Sequence, residues 1–231
     1  MRFEQYLSIV TLLRRHNRFL FDVTDADGQT LTVHCPNTGS MLGCRQPGSE
    51  AAISWSDNPA RKYRHTLEMV RENGVWIGVN TARANYLVAE ALAAGTIDGF
   101  DASWQICREV AVPDGSRLDF CLRRGRENVY LEVKNCSLTV AGRAFFPNAV
   151  SERGRRHLAV LSRLKAEGND AIIFFLVQRE DAHTFSPADH IDPGYGLALR
   201  RAAASGVRIM AYGCAVSPQG IEIRRALPCL L

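Results

Sequence analysis

At 231 residues, 46% hydrophobic and 23% charged, the chain has the composition of an ordered globular protein, long enough for one large domain or two modest ones and leaving little room for a disordered tail. A formal net charge of +4, from 28 Lys and Arg against 24 Asp and Glu, is compatible with a polyanionic partner without requiring one. Seven cysteines without a C-x-x-C pair read as reduced thiols, the first residues lack an export signal, and no run of about 18 apolar residues is present, so the expectation is a cytoplasmic protein that does not span a membrane.

Residues 19–80 carry the signals of short strands: FLFDV, the turn Asp27-Gly28, LTVHC, AAISWS, the turn Asn73-Gly74 and VWIGVN. They predict a small β-barrel over residues 1–81. Residues 82–94 then space Leu87, Val88, Ala91 and Leu92 on one helical face and end at Gly95, a natural C-cap.

The second part, residues 82–231, reads as a mixed α/β domain. Strands WQICREVAV, RLDFCL and VYLEVKN follow one another, punctuated by Pro113-Asp114-Gly115 and Gly125, and predict an antiparallel meander. A helix near residues 149–166, a strand AIIFFLV, a helix near 194–204 and a strand VRIMAYGCAV complete the pattern. The unbroken apolar run at 172–177 predicts a strand covered on both faces.

The stretch with the most chemistry is Asp119 followed by Glu132-Val133-Lys134. Side chains alternate along a strand, so Glu132 and Lys134 share a face while Val133 points into the core. If the two strands pair through the loop at Gly125, two carboxylates meet beside an ammonium. Carboxylate oxygens form part of the shell that Mg2+ or Mn2+ takes, metal-bound water becomes a nucleophile, and a lysine can stabilise charge at phosphorus. Glu109, on the preceding strand, is a third metal-ligand candidate, because a third acid beside two others needs a cation to hold it; Glu90 is a weaker fourth. The same Glu-x-Lys triplet is also what a solvated sheet edge looks like.

Arginines cluster at Arg14/Arg15/Arg18, Arg61/Lys62/Arg64, Arg123/Arg124/Arg126, Arg153/Arg155/Arg156 and Arg224/Arg225, any one of which can be a plain solvated face. Arg61, Lys62, Tyr63 and Arg64 interleave charge with an aromatic ring, the way small barrels grip a nucleic-acid backbone. Arg153 and His157 stand at i and i+4 and could hold a phosphate together. His34-Cys35 reads as a structural turn, and the segment containing His190 and Asp192, bracketed by prolines, as a structural loop.

The strings HCPNTGSM at 34–41, SDNPARKY at 56–63, GVNT at 78–81, SRLDF at 116–120, LEVKN at 131–135, FPNAVSERGRRHL at 146–158 and FSPADHIDPGY at 185–195 resemble the sugar fermentation stimulation protein family, SfsA, almost end to end. The resemblance implies an N-terminal OB-like barrel and a domain similar to the PD-(D/E)xK nucleases. It also implies DNA binding of low sequence specificity and a regulatory link to maltose metabolism. On that pattern Asp119, Glu132 and Lys134 take the places of the motif's two acids and lysine. The chain departs from the usual family residues at Tyr86, Asn148 and Arg156.

Three functions follow as expectations: a DNA-binding protein with a nuclease-like metal site, a working Mg2+- or Mn2+-dependent phosphodiesterase, and a regulatory or scaffold protein in which Glu132 and Lys134 form an internal ion pair. Nucleic acid, DNA foremost, is the expected partner; a homo-oligomer is left open.

Overall fold

The computed structural model describes residues 1–113 and 115–231, so the expected turn at 113–115 includes one residue, Asp114, outside the described set. The chain opens with β1 (Ser8–His16), β2 (Leu20–Thr24), β3 (Thr30–His34), β4 (Glu50–Trp55) and β5 (His65–Glu72). β1 pairs antiparallel with both β2 and β4, β2 with β3, and β4 with β5. A parallel contact between His34 and Thr66 joins β3 to β5 and closes the ring. The result is a five-stranded OB barrel filled by Leu12, Phe21, Val23, Val33, Leu67 and Ile77. β6 (Val75–Gly78) returns along β5 through Asn73 and Gly74, whose φ angles of 51° and 81° are those a type I′ hairpin turn requires.

β1 and β5 lie outside the strands expected from sequence, for two different reasons. In β1 the register shifts between Leu12 and Arg14, which breaks the apolar alternation. In β5 residues 66–70 are buried without interruption, Glu68 included, so there is no alternation to read. Glu68 is tolerated there because Ser54, Asn80 and Arg83 all donate to its carboxylate.

After a 3-10 turn (Thr81–Arg83), α1 (Ala84–Ala93) buries Leu87, Val88, Ala91 and Leu92, the expected face, and stops where Gly95 adopts φ 68°. Next come β7 (Gln105–Ala111), β8 (Arg117–Arg124) and β9 (Glu127–Cys136), an antiparallel meander as expected. The remaining elements are β10 (Leu138–Val140), β11 (Arg143–Phe146), α2 (Glu152–Ala166), β12 (Asp170–Val177), β13 (Thr184–Pro187), α3 (Pro193–Ala204), β14 (Arg208–Ser217) and β15 (Gly220–Ala226). The large sheet runs β15-β14-β12-β9-β8-β7, with β12 parallel to both β9 and β14. β10, β11 and β13 form a small separate sheet.

Each face of the large sheet has its own core. Ile172, Phe174 and Leu176 pack with α1 and with Ala52 and Met69 of the barrel, while Ile173, Phe175 and Val177 pack under α2 and α3. The apolar run of β12 is thus covered on both sides, as its composition predicts. Asp192 N-caps α3, accepts from the Ser151 backbone N–H at 2.8 Å and pairs with Arg155 at 2.9 Å, so its segment is a structural loop. Barrel and sheet meet tightly at Gly78: its N–H donates to the Gln178 carbonyl at 2.8 Å, and a Cβ there would fall 2.2 Å from Gln178 Oε1. Among the described residues no helix is long and apolar enough to cross a membrane.

Candidate functional site

β8 and β9 leave their hairpin in register from Arg124 opposite Glu127 to Phe120 opposite Leu131. There the ladder ends, because Asp119 takes its place with a side chain: Asp119 Oδ2 accepts the Val133 N–H at 2.7 Å. Its other oxygen accepts from Asn85 Nδ2 on α1, also at 2.7 Å. Two polar hydrogen bonds and the walls of both elements hold the carboxylate still. Burial, and next the charge of Glu132, push its pKa up to about 6, against the opposing pull of the Val133 N–H, Asn85 and Lys134.

On β9 the strand pleat sends Val133 into the α1-side core and turns Glu132 and Lys134 to the other face, toward α2. Glu132 is 3% exposed. Its Oε1 accepts from Lys134 Nζ at 2.5 Å and is also in close contact with His157 Nδ1. Burial alone would raise the Glu132 carboxyl; His157 and Lys134 outweigh it and hold it below the usual carboxylate range. Its second oxygen, Oε2, is buried and has no hydrogen-bond partner. A buried carboxylate oxygen without a donor is costly.

Asp119, Glu132 and Lys134 together line one cavity of about 930 Å3. The barrel supplies the opposite wall and its cations, Arg15, Arg18 and Arg45; Arg153 of α2 stands on the sheet side. Arg15 is tied to backbone carbonyls of Arg18, Asn37, Gly39 and Ser40 at 2.7–3.2 Å, which shapes the loop around it. Burial, with lesser contributions from Arg45 and Arg18, draws the Arg15 guanidinium below its ordinary pKa. Arg18 and Arg45 are exposed. Ser40 Oγ donates to the Asn148 carbonyl at 2.5 Å across the cleft.

Other expected site residues stand elsewhere. Glu109 is not with the two acids: it adopts φ 50°, β7 skips it between Arg108 opposite Phe120 and Val110 opposite Leu118, and it projects into solvent 4.0 Å from Arg117. Glu109 is thus not among the residues that the structure gathers around Asp119 and Glu132. Glu90 contacts the Met1 amino group and borders different cavities. Among the described residues no three His, Cys, Asp or Glu side chains gather into one group. His157 is not on a phosphate-facing surface; it is 7% exposed and lies behind Glu132, with Arg153 alone reaching the cleft.

Arg61, Lys62, Tyr63 and Arg64 occupy the loop between β4 and β5, away from these acids. Arg61 donates to Thr66 Oγ1 at 2.7 Å, Lys62 lies over the Tyr63 ring at 5.4 Å, and Arg64 lies over Trp55 at 5.5 Å. Arg61 borders a second cavity of about 730 Å3 with Trp55, Arg83 and Tyr86. Asn85 and Arg45 are not among the residues the sequence points to, and Arg18 figures there only in one of five arginine clusters, since no periodicity or spacing links them to Asp119.

The two carboxylates fit a hard divalent cation. Both offer oxygen, one is an orphan, and the incomplete shell suits an ion that keeps water or takes phosphate oxygens as its other ligands.

A closed OB barrel, followed by a mixed sheet that sets two acids and a lysine on the floor of an arginine-walled cleft, defines the class: an OB domain joined to a domain with the acid–acid–lysine pattern. Residues 13–79 match the SfsA N-terminal OB domain, and residues 82–220 match the sugar fermentation stimulation protein RE domain. The chain belongs to the SfsA family. It is 49% identical over 231 residues to a sugar fermentation stimulation protein homolog of Desulfotalea psychrophila, covering 100% of this chain and 95% of the relative. It is 50% identical over 234 residues to a homolog from Halorhodospira halophila, covering 99% and 97%. The structure of Pyrococcus furiosus SfsA in complex with Ca2+ matches with a TM-score of 0.91 at 25% identity, over 100% of this chain and 98% of that one.

Proposed function

We propose that this protein binds DNA through its sugar-phosphate backbone in the cleft between barrel and sheet, beside a nuclease-like divalent-cation site formed by Asp119 and Glu132. The observation that carries the reading is the partnerless Oε2 of Glu132, a residue that lines one cavity together with Asp119 and with arginines contributed by the other half of the molecule. The arginine wall attracts polyanion without reading bases, which gives affinity with low sequence specificity. The Ca2+ complex of the Pyrococcus furiosus relative supports a cation in this family's fold. Mg2+ or Mn2+ is the working ion of the proposal, and it would supply charge neutralisation and an acidified water. Asp119 and Glu132 hold the ion, Lys134 adds positive charge at the same point, and Arg18, Arg45 and Arg153 orient the phosphates. Any regulatory role in sugar metabolism acts, in this reading, through DNA contact.

Calorimetry with Mn2+ and with Ca2+, and anisotropy of labelled single-stranded and duplex DNA across a salt series, test it. Micromolar-range cation binding that Asp119→Asn abolishes, with DNA affinity falling steeply as salt rises, is the expected result. No cation binding, or a flat salt response, removes the proposal. Incubation of the same DNA with Mn2+ or EDTA separates a phosphodiesterase from a binder: cleavage that Lys134→Ala and Asp119→Asn both stop makes it an enzyme.

A second reading is favoured by the 2.5 Å Glu132–Lys134 pair: an inert scaffold in which the two residues serve only each other. Melting curves decide, because a cation bound to the native state alone raises the melting temperature and an internal pair gives no such response.

A further inference from the structure

We propose that His157 is a positioning residue: it donates from Nδ1 to Glu132 Oε1 and so leaves Oε2 as the carboxylate oxygen available to a cation. This rests on the cation-site reading of Asp119 and Glu132. Arg153 Nε carries a hydrogen and cannot accept, and it points at His157 Nε2 from 3.3 Å, one helical turn away. Nε2 must therefore present its lone pair, and the ring's single proton in the uncharged form sits on Nδ1, the atom against Glu132 Oε1.

Lys134 Nζ also approaches Nδ1, at 3.3 Å, but an ammonium cannot donate to a nitrogen that already holds a proton. Its hydrogen bond is the 2.5 Å one to Glu132 Oε1. Oε1 thus collects two donors and Oε2 none, which fixes which edge of the carboxylate is free. The imidazole is packed on α2, since His157 is 7% exposed and the next residue, Leu158, is buried in the core. Arg153, the outer member of the chain, lines the cleft, so a group that contacts phosphate stands two hydrogen bonds from a group that holds the cation.

Two near-isosteric substitutions separate this role from plain packing. Asn places its amide N–H near the position of Nδ1 and keeps the bond to Glu132; Gln reaches the position of Nε2 and keeps only the side facing Arg153. Mn2+ affinity by calorimetry is expected to stay within about threefold of wild type in His157→Asn, and to fall roughly 10–100-fold in His157→Gln and His157→Ala. Equal affinity in His157→Asn and His157→Gln overturns the proposal. The 15N-imidazole spectrum of the cation-free wild type is the second readout and needs no variant to fold: an Nδ1–H tautomer is expected, and an Nε2–H tautomer overturns the proposal. Absence of Mn2+ binding in the wild type sinks the cation-site reading and this positioning role with it, whereas an Nε2–H spectrum beside intact binding sinks the positioning role alone.

Discussion

The two walls of the cleft are built from different chemistry. The barrel wall offers guanidinium groups and backbone, Arg15, Arg18 and Arg45 around the loop at 37–40, whereas the sheet wall offers both acids, Lys134 and one arginine. In the proposed function the barrel wall would hold the phosphates and the sheet wall the cation. The contrast also separates two sets of barrel cations. Arg61, Lys62 and Arg64 contact Thr66, Tyr63 and Trp55 of their own neighbourhood, while Arg18 and Arg45 are exposed beside the acids. Density of arginine along the chain does not reveal which guanidiniums converge; closure of the barrel does.

Damage to the sheet wall is expected to have the largest effect. With a cation at about a hundred times its Kd, the wild type gains about 2.7 kcal/mol of stability, read as a rise in melting temperature. Asp119→Asn gains none, yet its DNA affinity in EDTA falls by less than threefold if the walls divide the work as described. A loss of DNA affinity as large as the loss of cation response would erase the division.

The pH dependence is next in size and has a definite sign. Burial and Glu132 raise the Asp119 carboxyl to about 6, so below that pH it keeps its proton, and a cation must displace the proton to bind. Cation affinity is expected to level off above about pH 7 and to fall by about tenfold per unit below pH 6, checked by calorimetry at pH 5, 6 and 7.5. An affinity flat across that range removes Asp119 from the ligand set.

Barrel substitutions act more gently. Arg18→Ala and Arg45→Ala are each expected to reduce the slope of log affinity against log salt by roughly 0.9 on duplex DNA, with the cation response untouched. Smallest is Lys62→Ala, for which an unchanged slope is expected, as for Arg126→Ala on the distant β8–β9 hairpin. A slope change at Lys62 equal to that at Arg18 extends the DNA path onto the loop between β4 and β5.

Much of the fold is legible where one periodicity governs. β12 announces itself by an unbroken apolar run, and α1 by the spacing of Leu87, Val88, Ala91 and Leu92. β15 alternates only as far as Arg224, where its register with β14 shifts, and goes unread, and β10, β11 and β13 are too brief to show any period. At the site, alternation within β9 suffices to put Glu132 and Lys134 on one face. Spacing cannot foresee that Glu109 adopts φ 50° and stands in solvent near Arg117, because strict alternation along β7 assumes an extended backbone at every residue. Nor can helical spacing tell whether the face shared by Arg153 and His157 meets solvent or sheet; in the structure the first does one and the second the other.

The seat at Gly78 bears on how the two walls of the cleft are held. With no room for even a methyl group between it and Gln178, and with Ser40 hydrogen-bonded to the Asn148 carbonyl, barrel and sheet are fastened to each other at two points. A side chain introduced at Gly78 would have to displace Gln178, and with it the fit between the two walls.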